Sequence, residues 1–264
     1  MVARGSDTRG TPTGLTRLHQ GSPSEMEEND VRIDIWSDVV CPWCFIGLAN
    51  LDRALGEFEH ADETEIVLHS FQLDPDAPRR DDQPVVERLA AKYGTSVGQI
   101  RANQARLVSM GAERGIDFRF DHAIGGNTFD AHRLLHLAAR DGLQVELKHR
   151  LGRAYFTDGE AIGEADTLRK AAVDVGLDPG EVDEVLAGDA WSDEVRADLA
   201  AAREIGISGV PFFVADGRLA VSGAQPPETL LGLLQEAWTT RPTPLVAFDG
   251  AAAVDACGPD GCEI

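Results

Sequence analysis

Short apolar stretches near the two ends of the chain predict four β-strands. In the first, residues 31–38, valine and isoleucine alternate with polar partners, as in a strand with one buried face. Phe71 and Leu73, at the end of the second predicted strand, are expected in the core. An Asp-Gly pair, Asp216 and Gly217, predicts a hairpin turn between the last two strands. The other three predicted strands are residues 65–73, 211–216 and 217–223.

Helical spacing of apolar residues occupies most of the chain between these strands. A first helix is indicated after the first strand, and a last amphipathic helix over residues 226–238 has two prolines at its start, where proline is tolerated. The chain is therefore predicted to be an α/β protein with a block of helices between the second and third strands. Most segments of that block end at a glycine, and they cover residues 84–94, 96–115, 127–142, 143–159, 164–176 and 190–206.

The composition of the 264-residue chain is that of a folded protein, with 43% hydrophobic and 26% charged residues. Its formal net charge of −21 argues against nucleic acid and anionic membrane as partners, because both require clustered basic residues. Lysine occurs at three positions, Lys92, Lys148 and Lys170, and arginine supplies the rest of the positive charge. The sequence contains no run of about 18 apolar residues, so no membrane span is predicted.

Residues 1–30 are rich in Gly, Ser, Thr and Pro and are predicted to be a disordered N-terminal extension. They contain no apolar stretch that could form the core of a signal peptide, which predicts a cytoplasmic protein. The chain has four cysteines in two close pairs. In a reducing compartment such pairs indicate redox or metal sites rather than permanent structural disulfides.

The motif Cys41-Pro42-Trp43-Cys44 lies between the first strand and the first helix. A cysteine in the first turn of a helix faces unpaired backbone N–H groups and the positive end of the helix dipole, and both favour the thiolate. Cys41 therefore has the position of a nucleophile in disulfide exchange. Cys44, one turn further on, has the position of the thiol that resolves a mixed disulfide. Pro42 suits a first helical turn, and Trp43 is a candidate surface for an unfolded client.

Two other interpretations of this motif remain open from its residues alone. The two thiols could form half of a zinc site, with Cys257 and Cys262 as the other half, or they could be inert structural thiols. Zinc-binding pairs usually lie in a tight turn, whereas this pair lies between a buried strand and an apolar helix. The position therefore favours a redox centre.

A second motif, Gly-Val-Pro at residues 209–211, opens the third strand. A proline that enters a strand after Gly-Val favours a cis bond between Val210 and Pro211. Alone this signal is weak, and together with the cysteine motif it becomes specific.

The segments SDVVCPWCFIG, SFQLDP, NTFDAHRLLHLA and GISGVPFFV together resemble the FrnE group of DsbA-like oxidoreductases. The resemblance covers about residues 31–238. It implies a thioredoxin-like fold formed by residues 31–75 and 206–238. A large all-helical insertion, residues 76–205, would separate the second strand from the cis-proline strand, and residues 239–264 would form a C-terminal tail.

The resemblance implies a thiol–disulfide oxidoreductase with no bound cofactor, in which Cys41 is the nucleophile and Cys44 the resolving thiol. It also implies that Val210 and Pro211 lie beside Cys41 and, with the Pro-Trp pair between the cysteines, bind a client strand. The expected partners are client proteins with thiols or disulfides, a low-molecular-weight thiol or a reductase for recycling, and a second copy of the chain in a homodimer.

The same superfamily contains glutathione-dependent 2-hydroxychromene-2-carboxylate isomerases and kappa-class glutathione transferases. They are similar to this chain in layout, including the Asn-Thr start of the helix at Asn127. They usually carry serine or another residue at the position of Cys41 and lack the dithiol, so the intact pair argues against their chemistry. Glutathione remains a candidate redox partner in the same cleft.

Several polar residues near these motifs are further candidates. Asp38, three residues before the nucleophile, is either a proton shuttle for the resolving thiol or a turn residue. His132 and His136 lie four residues apart on one face of a predicted helix, but no third ligand is near in sequence, so no metal site is predicted. Asn127 and Thr128 are predicted to cap that helix.

The second cysteine pair, Cys257 and Cys262, encloses Gly-Pro-Asp-Gly, a sequence typical of a turn that could bring the two sulfurs together. The pair is a candidate second redox centre that exchanges with the first or protects it. The alternatives are a locally closed disulfide and idle thiols on a flexible tail.

Overall fold

The computed structural model describes residues 31–241, which form one four-stranded sheet with helices on and beside it. The predicted extension, residues 1–30, and the tail pair Cys257 and Cys262 lie outside the described residues. The sheet order is β2-β1-β3-β4, with β1 and β2 parallel and the other two pairs antiparallel. The strands are β1 (Val31–Ser37), β2 (Thr64–Ser70), β3 (Phe212–Ala215) and β4 (Leu219–Ser222).

The strand register brings the two sequence motifs to the same end of the two central strands, β1 and β3. Trp36, near the end of β1, pairs with Phe212 at the start of the antiparallel strand β3. The cysteine motif follows β1 and the Gly-Val-Pro motif precedes β3, so the chain must carry both motifs to the same place. The hairpin between β3 and β4 turns at Asp216 and Gly217, which have positive φ angles of 50° and 63°. Arg218 completes a three-residue connection between the paired residues Ala215 and Leu219.

Seven of the helices in the described residues lie between β2 and β3, which confirms the predicted helical insertion. The helix α7 was not predicted, although Asp178 accepts hydrogen bonds from the N–H groups of Gly180 and Glu181 and Pro179 opens the helix. The helices are α1 (Pro42–Glu57), α2 (Val85–Tyr93), α3 (Val97–Ala112), α4 (Phe129–Arg140), α5 (Gln144–Arg153), α6 (Ala165–Asp174), α7 (Pro179–Ala187), α8 (Ser192–Glu204) and α9 (Pro227–Thr240). Within residues 31–241, none of the helices has both the length and the apolar content needed to cross a membrane.

The second predicted strand is shorter than expected, and the alternation of buried and partly buried residues along it continues through residues 71–73. β2 ends at Ser70, and Phe71 and Leu73 are only partly buried, so their prediction as core residues is wrong. Gln72 points inward instead and is 7% exposed. Its side chain donates hydrogen bonds to the side-chain oxygens of Asn127 and Thr128 at 3.1 and 3.5 Å, which is how a buried amide is satisfied.

Two apolar clusters meet across α1 and α5. The sheet core lies between the sheet and helices α1 and α9, and its members include Ile33, Ile35, Leu48, Leu51, Phe213 and Leu234. The insertion core lies among the helices of the insertion, and its members include Leu134, Leu137, Leu151, Phe156, Ile162 and Leu168. Phe45 of α1 belongs to the insertion core, while Val145 of α5 belongs to the sheet core. The insertion is therefore packed directly on the helix that carries the cysteines.

Gly152 allows this close packing of α5 on α1. A Cβ atom at Gly152 would lie 2.2 Å from Cε1 of Phe45, whose side chain is buried in the insertion core. We expect Gly152→Ala to lower the free energy of unfolding by about 1–3 kcal/mol, the usual cost of overpacking a core. Gly232→Ala is the matched control, because a Cβ atom there meets nothing within 4 Å. Chemical denaturation of both variants tests the prediction, and equal stabilities would contradict it.

Candidate active site

Cys41 is the residue that precedes α1, so its thiol lies at the positive end of that helix. Its backbone is extended, with φ −94° and ψ 109°, and Pro42 occupies the first helical turn. The carbonyl of Cys41 accepts a hydrogen bond from the Cys44 N–H at 3.1 Å, which fixes the two residues one turn apart. The Sγ atom of Cys41 lies 3.6 Å from the carbonyl oxygen of Val210.

The two thiols differ in acidity. A hydrogen bond from the Cys44 thiol lowers the pKa of Cys41, although burial and the negative charge of Asp38 act in the opposite direction. Burial, and then the hydrogen bond with Cys41, raise the pKa of Cys44 well above its ordinary value. The pair is therefore asymmetric, because Cys41 loses its proton at a lower pH than Cys44 does.

Pro211 lies against the same helix, so the Gly-Val-Pro motif faces the cysteine motif. The peptide bond between Val210 and Pro211 is cis. A Cβ atom at Gly47 of α1 would lie 2.9 Å from Cγ of Pro211, so the absence of a side chain at Gly47 lets the proline ring approach the helix. The structure thus brings Cys41 together with Val210 and Pro211, although Cys41 and Val210 are 169 positions apart in the chain.

A cleft of about 400 Å³ opens beside Cys41, between the start of α1 and the helices α2 and α3. Its walls are mainly apolar, and they include Val40, Trp43, Leu73, Leu107, Phe156 and Val210. Two basic residues, Arg88 and Lys92, also line the cleft. Cys41 is only 4% exposed at its floor, whereas the side chain of Trp43 stands at the rim and is 36% exposed. A molecule that reaches Cys41 must therefore be small or present a narrow segment.

Asp38 is fully buried beneath the cysteine motif. One carboxylate oxygen accepts hydrogen bonds from the Val39 N–H at 2.7 Å and lies 3.2 Å from Nε2 of His132, and the other accepts from the Leu73 N–H at 2.8 Å. Burial raises the pKa of Asp38, but these interactions outweigh it, and the pKa is lowered. The carboxylate is thus a fixed negative charge that ties the loop after β1 to the chain after β2.

The two histidines of the predicted pair have different partners. His132 supports Asp38, while Nε2 of His136 lies 3.1 Å from Oγ of Ser70 and 3.0 Å from a carboxylate oxygen of Asp198. Among residues 31–241, no three His, Cys, Asp or Glu side chains are grouped so that they could hold a metal ion.

Of the two predicted helix caps, one forms. The side-chain oxygen of Asn127 accepts a hydrogen bond from the Phe129 N–H at 2.9 Å. The side chain of Thr128 makes no capping hydrogen bond, so that part of the prediction is wrong. Asn127 also donates to the carbonyl oxygens of Pro75 and Ala77, at 2.9 and 3.1 Å, and thereby anchors the loop that leads from β2 into the insertion.

Sequence reasoning missed one charged residue near the thiols. Lys148 of α5 is 0% exposed, and its positive charge acts on both Cys41 and Cys44. The signal was its place in the helical pattern, because Lys148 falls on the apolar face shared by Val145, Gly152 and Tyr155.

A four-stranded sheet, a cysteine pair at the start of a helix and a cis-proline opposite it define a thioredoxin-like architecture. The model of the DSBA-like thioredoxin domain matches residues 32–235 of the sequence. The chain therefore belongs to the DsbA-like family of thioredoxin-fold oxidoreductases.

Solved structures agree with this assignment. A probable DsbA oxidoreductase from Streptomyces coelicolor is 44% identical, with a TM-score of 0.78, over 89% of this chain and 99% of that chain. The cytosolic disulfide reductase DsbM from Pseudomonas aeruginosa is 19% identical, with a TM-score of 0.52, over 79% and 95% of the two chains. A 2-hydroxychromene-2-carboxylate isomerase is 14% identical, with a TM-score of 0.55, over 79% and 94%. The last two share the fold alone.

Proposed function

We propose that this chain is a thiol–disulfide oxidoreductase that works through the Cys41–Cys44 dithiol. The Cys41 thiolate attacks a client disulfide, so that a Cys41–client bond forms and the released client thiolate takes a proton from water. Cys44 then loses its proton and attacks Sγ of Cys41. The Cys41–Cys44 disulfide forms, the second client thiolate leaves, and the client has gained the two electrons that the dithiol has lost. The reverse sequence oxidises a client dithiol.

The observation that carries this proposal is the asymmetry of the two thiols. Disulfide exchange needs a thiolate for attack and a second thiol that stays protonated until the mixed disulfide has formed. The lowered pKa of Cys41 and the raised pKa of Cys44 meet both needs. The carbonyl of Val210, 3.6 Å from Sγ of Cys41, is positioned for backbone pairing with an extended client segment.

The narrow access to Cys41 favours clients that offer an extended segment or a small thiol. Glutathione, another low-molecular-weight thiol or a reductase would recycle the dithiol, and the reaction needs no bound cofactor. In the cytoplasm, where disulfides are reduced, reduction or isomerisation would be the expected direction. Membership of the FrnE group, the cytoplasmic location and a homodimeric state stay predictions.

An equilibrium titration of the full chain against glutathione tests the proposal, with the state of each cysteine determined by alkylation and mass spectrometry. We expect one reversible two-electron transition at Cys41 and Cys44, whose midpoint separates an oxidant from a reductant. The same samples show whether Cys257 and Cys262 oxidise together and whether that transition is coupled to the first. If Cys41 and Cys44 never oxidise as a pair, the dithiol mechanism is wrong.

The cleft beside Cys41 supports a second candidate, a glutathione-dependent isomerase or transferase of the same superfamily. Its volume of about 400 Å³ and its mainly apolar walls suit a small aromatic molecule. Such chemistry needs no resolving thiol. Turnover of a small aromatic substrate that depends on glutathione and survives in the Cys44→Ser variant would favour this candidate over the dithiol mechanism.

A further inference from the structure

Lys148 is an ionisable residue in a place where folding alone disfavours one. Its side chain is among the largest fully buried ones, and Nζ has no hydrogen-bond acceptor in the part of the chain that the structure describes. A buried charge without a hydrogen-bonded partner costs several kcal/mol, and an apolar side chain of the same volume usually stabilises such a site. The packing of α5 therefore does not account for this residue.

The contacts of α5 direct Lys148 towards the start of α1. Gln144, one turn before it, hydrogen-bonds the carbonyl and N–H groups of Leu68 in β2 at 2.9 and 3.1 Å. Gly152, one turn after it, lies against the ring of Phe45, the residue next to Cys44. Residues four apart share a helix face, so Lys148 lies on α5 between the contact with β2 and the contact with α1. Its Nζ lies 5.6 Å from the centroid of the Phe45 ring.

The charges around Lys148 belong to the active site. Burial lowers the pKa of Lys148, and negative charge on Cys44, then Asp38, then Cys41 opposes that effect. Lys148 in turn favours the thiolate form of both cysteines. Burial, and then the charge of Lys148, lower the pKa of the neighbouring His149. The titratable groups that face this cluster from the surrounding elements are Asp38 after β1, Cys41 before α1, Cys44 of α1, His132 of α4, His149 of α5 and Tyr155 after α5.

We propose that Lys148 is a positioning residue through which the helical insertion sets the redox properties of the Cys41–Cys44 dithiol. This inference rests on the function proposed above. In this role Lys148 carries its proton while either thiolate is present, because thiolate charge opposes the effect of burial on the pKa of Lys148. Its charge stabilises the Cys41 thiolate of the reduced enzyme and the Cys44 thiolate that forms when the mixed disulfide is resolved, while the Cys44 proton leaves to water or to the departing client thiolate. The negative charge of Asp38 opposes both thiolates, and Lys148 offsets it.

The test is Lys148→Met, which keeps the volume and removes the charge. We expect the pKa of the Cys41 thiol, followed by the ultraviolet absorbance of the thiolate, to rise by about one unit, a tenfold loss of thiolate near neutral pH. Because the charge stabilises the reduced form, the variant should also be oxidised by glutathione about tenfold more readily, which corresponds to a potential about 30 mV more negative. Lys148→Arg should return both quantities towards the wild-type values.

Leu151→Ala is the matched control, since Leu151 is a fully buried neutral residue of the same helix. It should lower stability but leave the thiol pKa and the redox equilibrium unchanged. If Lys148→Met changes neither quantity, or changes them no more than Leu151→Ala does, the inference is wrong. Lys148→Gln, with the same expected shifts, replaces the Met variant if that variant does not fold. A wild-type dithiol that never oxidises reversibly would instead overturn the proposed function, while the thiol pKa would still test Lys148.

Discussion

Cys41→Ser is expected to reduce disulfide exchange by at least about 10³-fold, because a serine hydroxyl does not supply the nucleophilic anion at neutral pH. Cys44→Ser is expected to behave differently. Its Cys41 thiolate still attacks a client, but no second thiol releases the mixed disulfide, so a covalent Cys41–client adduct should accumulate. Non-reducing electrophoresis and mass spectrometry after incubation with a disulfide-bonded client measure the adduct, and an insulin reduction assay measures turnover.

The double variant Cys41→Ser/Cys44→Ser is the control for both experiments, because it retains Cys257 and Cys262. Any adduct or turnover that it shows comes from the tail pair and is subtracted. Two results would contradict the assignment of roles. The first is a stable adduct on Cys44 in the Cys41→Ser variant, formed as fast as the one on Cys41. The second is undiminished turnover without Cys41.

The elements that surround the dithiol were predictable because their signals are local. Alternation of apolar residues marks β1, and the Asp216-Gly217 pair marks the hairpin. The helix α7 shows where local pattern fails. It spans nine residues and buries only Val182 and Val185, so its apolar period is too short to be recognised. The remaining signals of this helix are Asp178 and Pro179 at its start.

The fine structure of the site depends on contacts that no local pattern contains. Asp38 meets His132 across 94 positions, and the pairing fixes a charge that sequence spacing left as either a shuttle or a turn residue. Lys148 lies near the thiols on the same side of α5 as Gly152, which packs against Phe45 of α1. Phe71 and Leu73 were assigned to the core, although they continue the partly buried side of β2. Each of these features depends on packing between distant segments.

A second charged cluster joins β1, β2 and α8. His69 is central to it, with Nδ1 2.7 Å from Asp198 and Nε2 2.7 Å from Asp34, and its ring stacks on Trp36 at 4.4 Å. Burial lowers the pKa of His69, but the hydrogen bonds with the two carboxylates outweigh burial and raise this pKa from 6.5 to about 9. The folded protein therefore holds His69 as a cation between two anions.

This arrangement predicts that stability falls as the pH rises above neutrality. The folded-state pKa lies above the unfolded one, so the contribution of His69 is complete below pH 6.5 and is lost as the pH rises towards 9. Over that window we expect the free energy of unfolding to fall by roughly 3 kcal/mol, from 1.36 kcal/mol per pKa unit. The pKa of Asp198 is lowered and that of Asp34 is also lowered, so both carboxylates stay ionised throughout the window.

Urea denaturation at several pH values, in the Cys41→Ser/Cys44→Ser background, measures this loss without interference from the active-site thiols. We expect His69→Gln to be less stable at pH 6.5 and to lack the fall between pH 6.5 and 9, so that the two profiles converge at alkaline pH. Arg196→Gln is the matched control, because it removes one positive charge from the exposed surface of the same helix, α8, and should keep the wild-type slope. Parallel profiles for the wild-type protein and His69→Gln would contradict the prediction, because they would show that folding does not change the protonation of His69. The cluster would then hold the strands to α8 through a neutral His69.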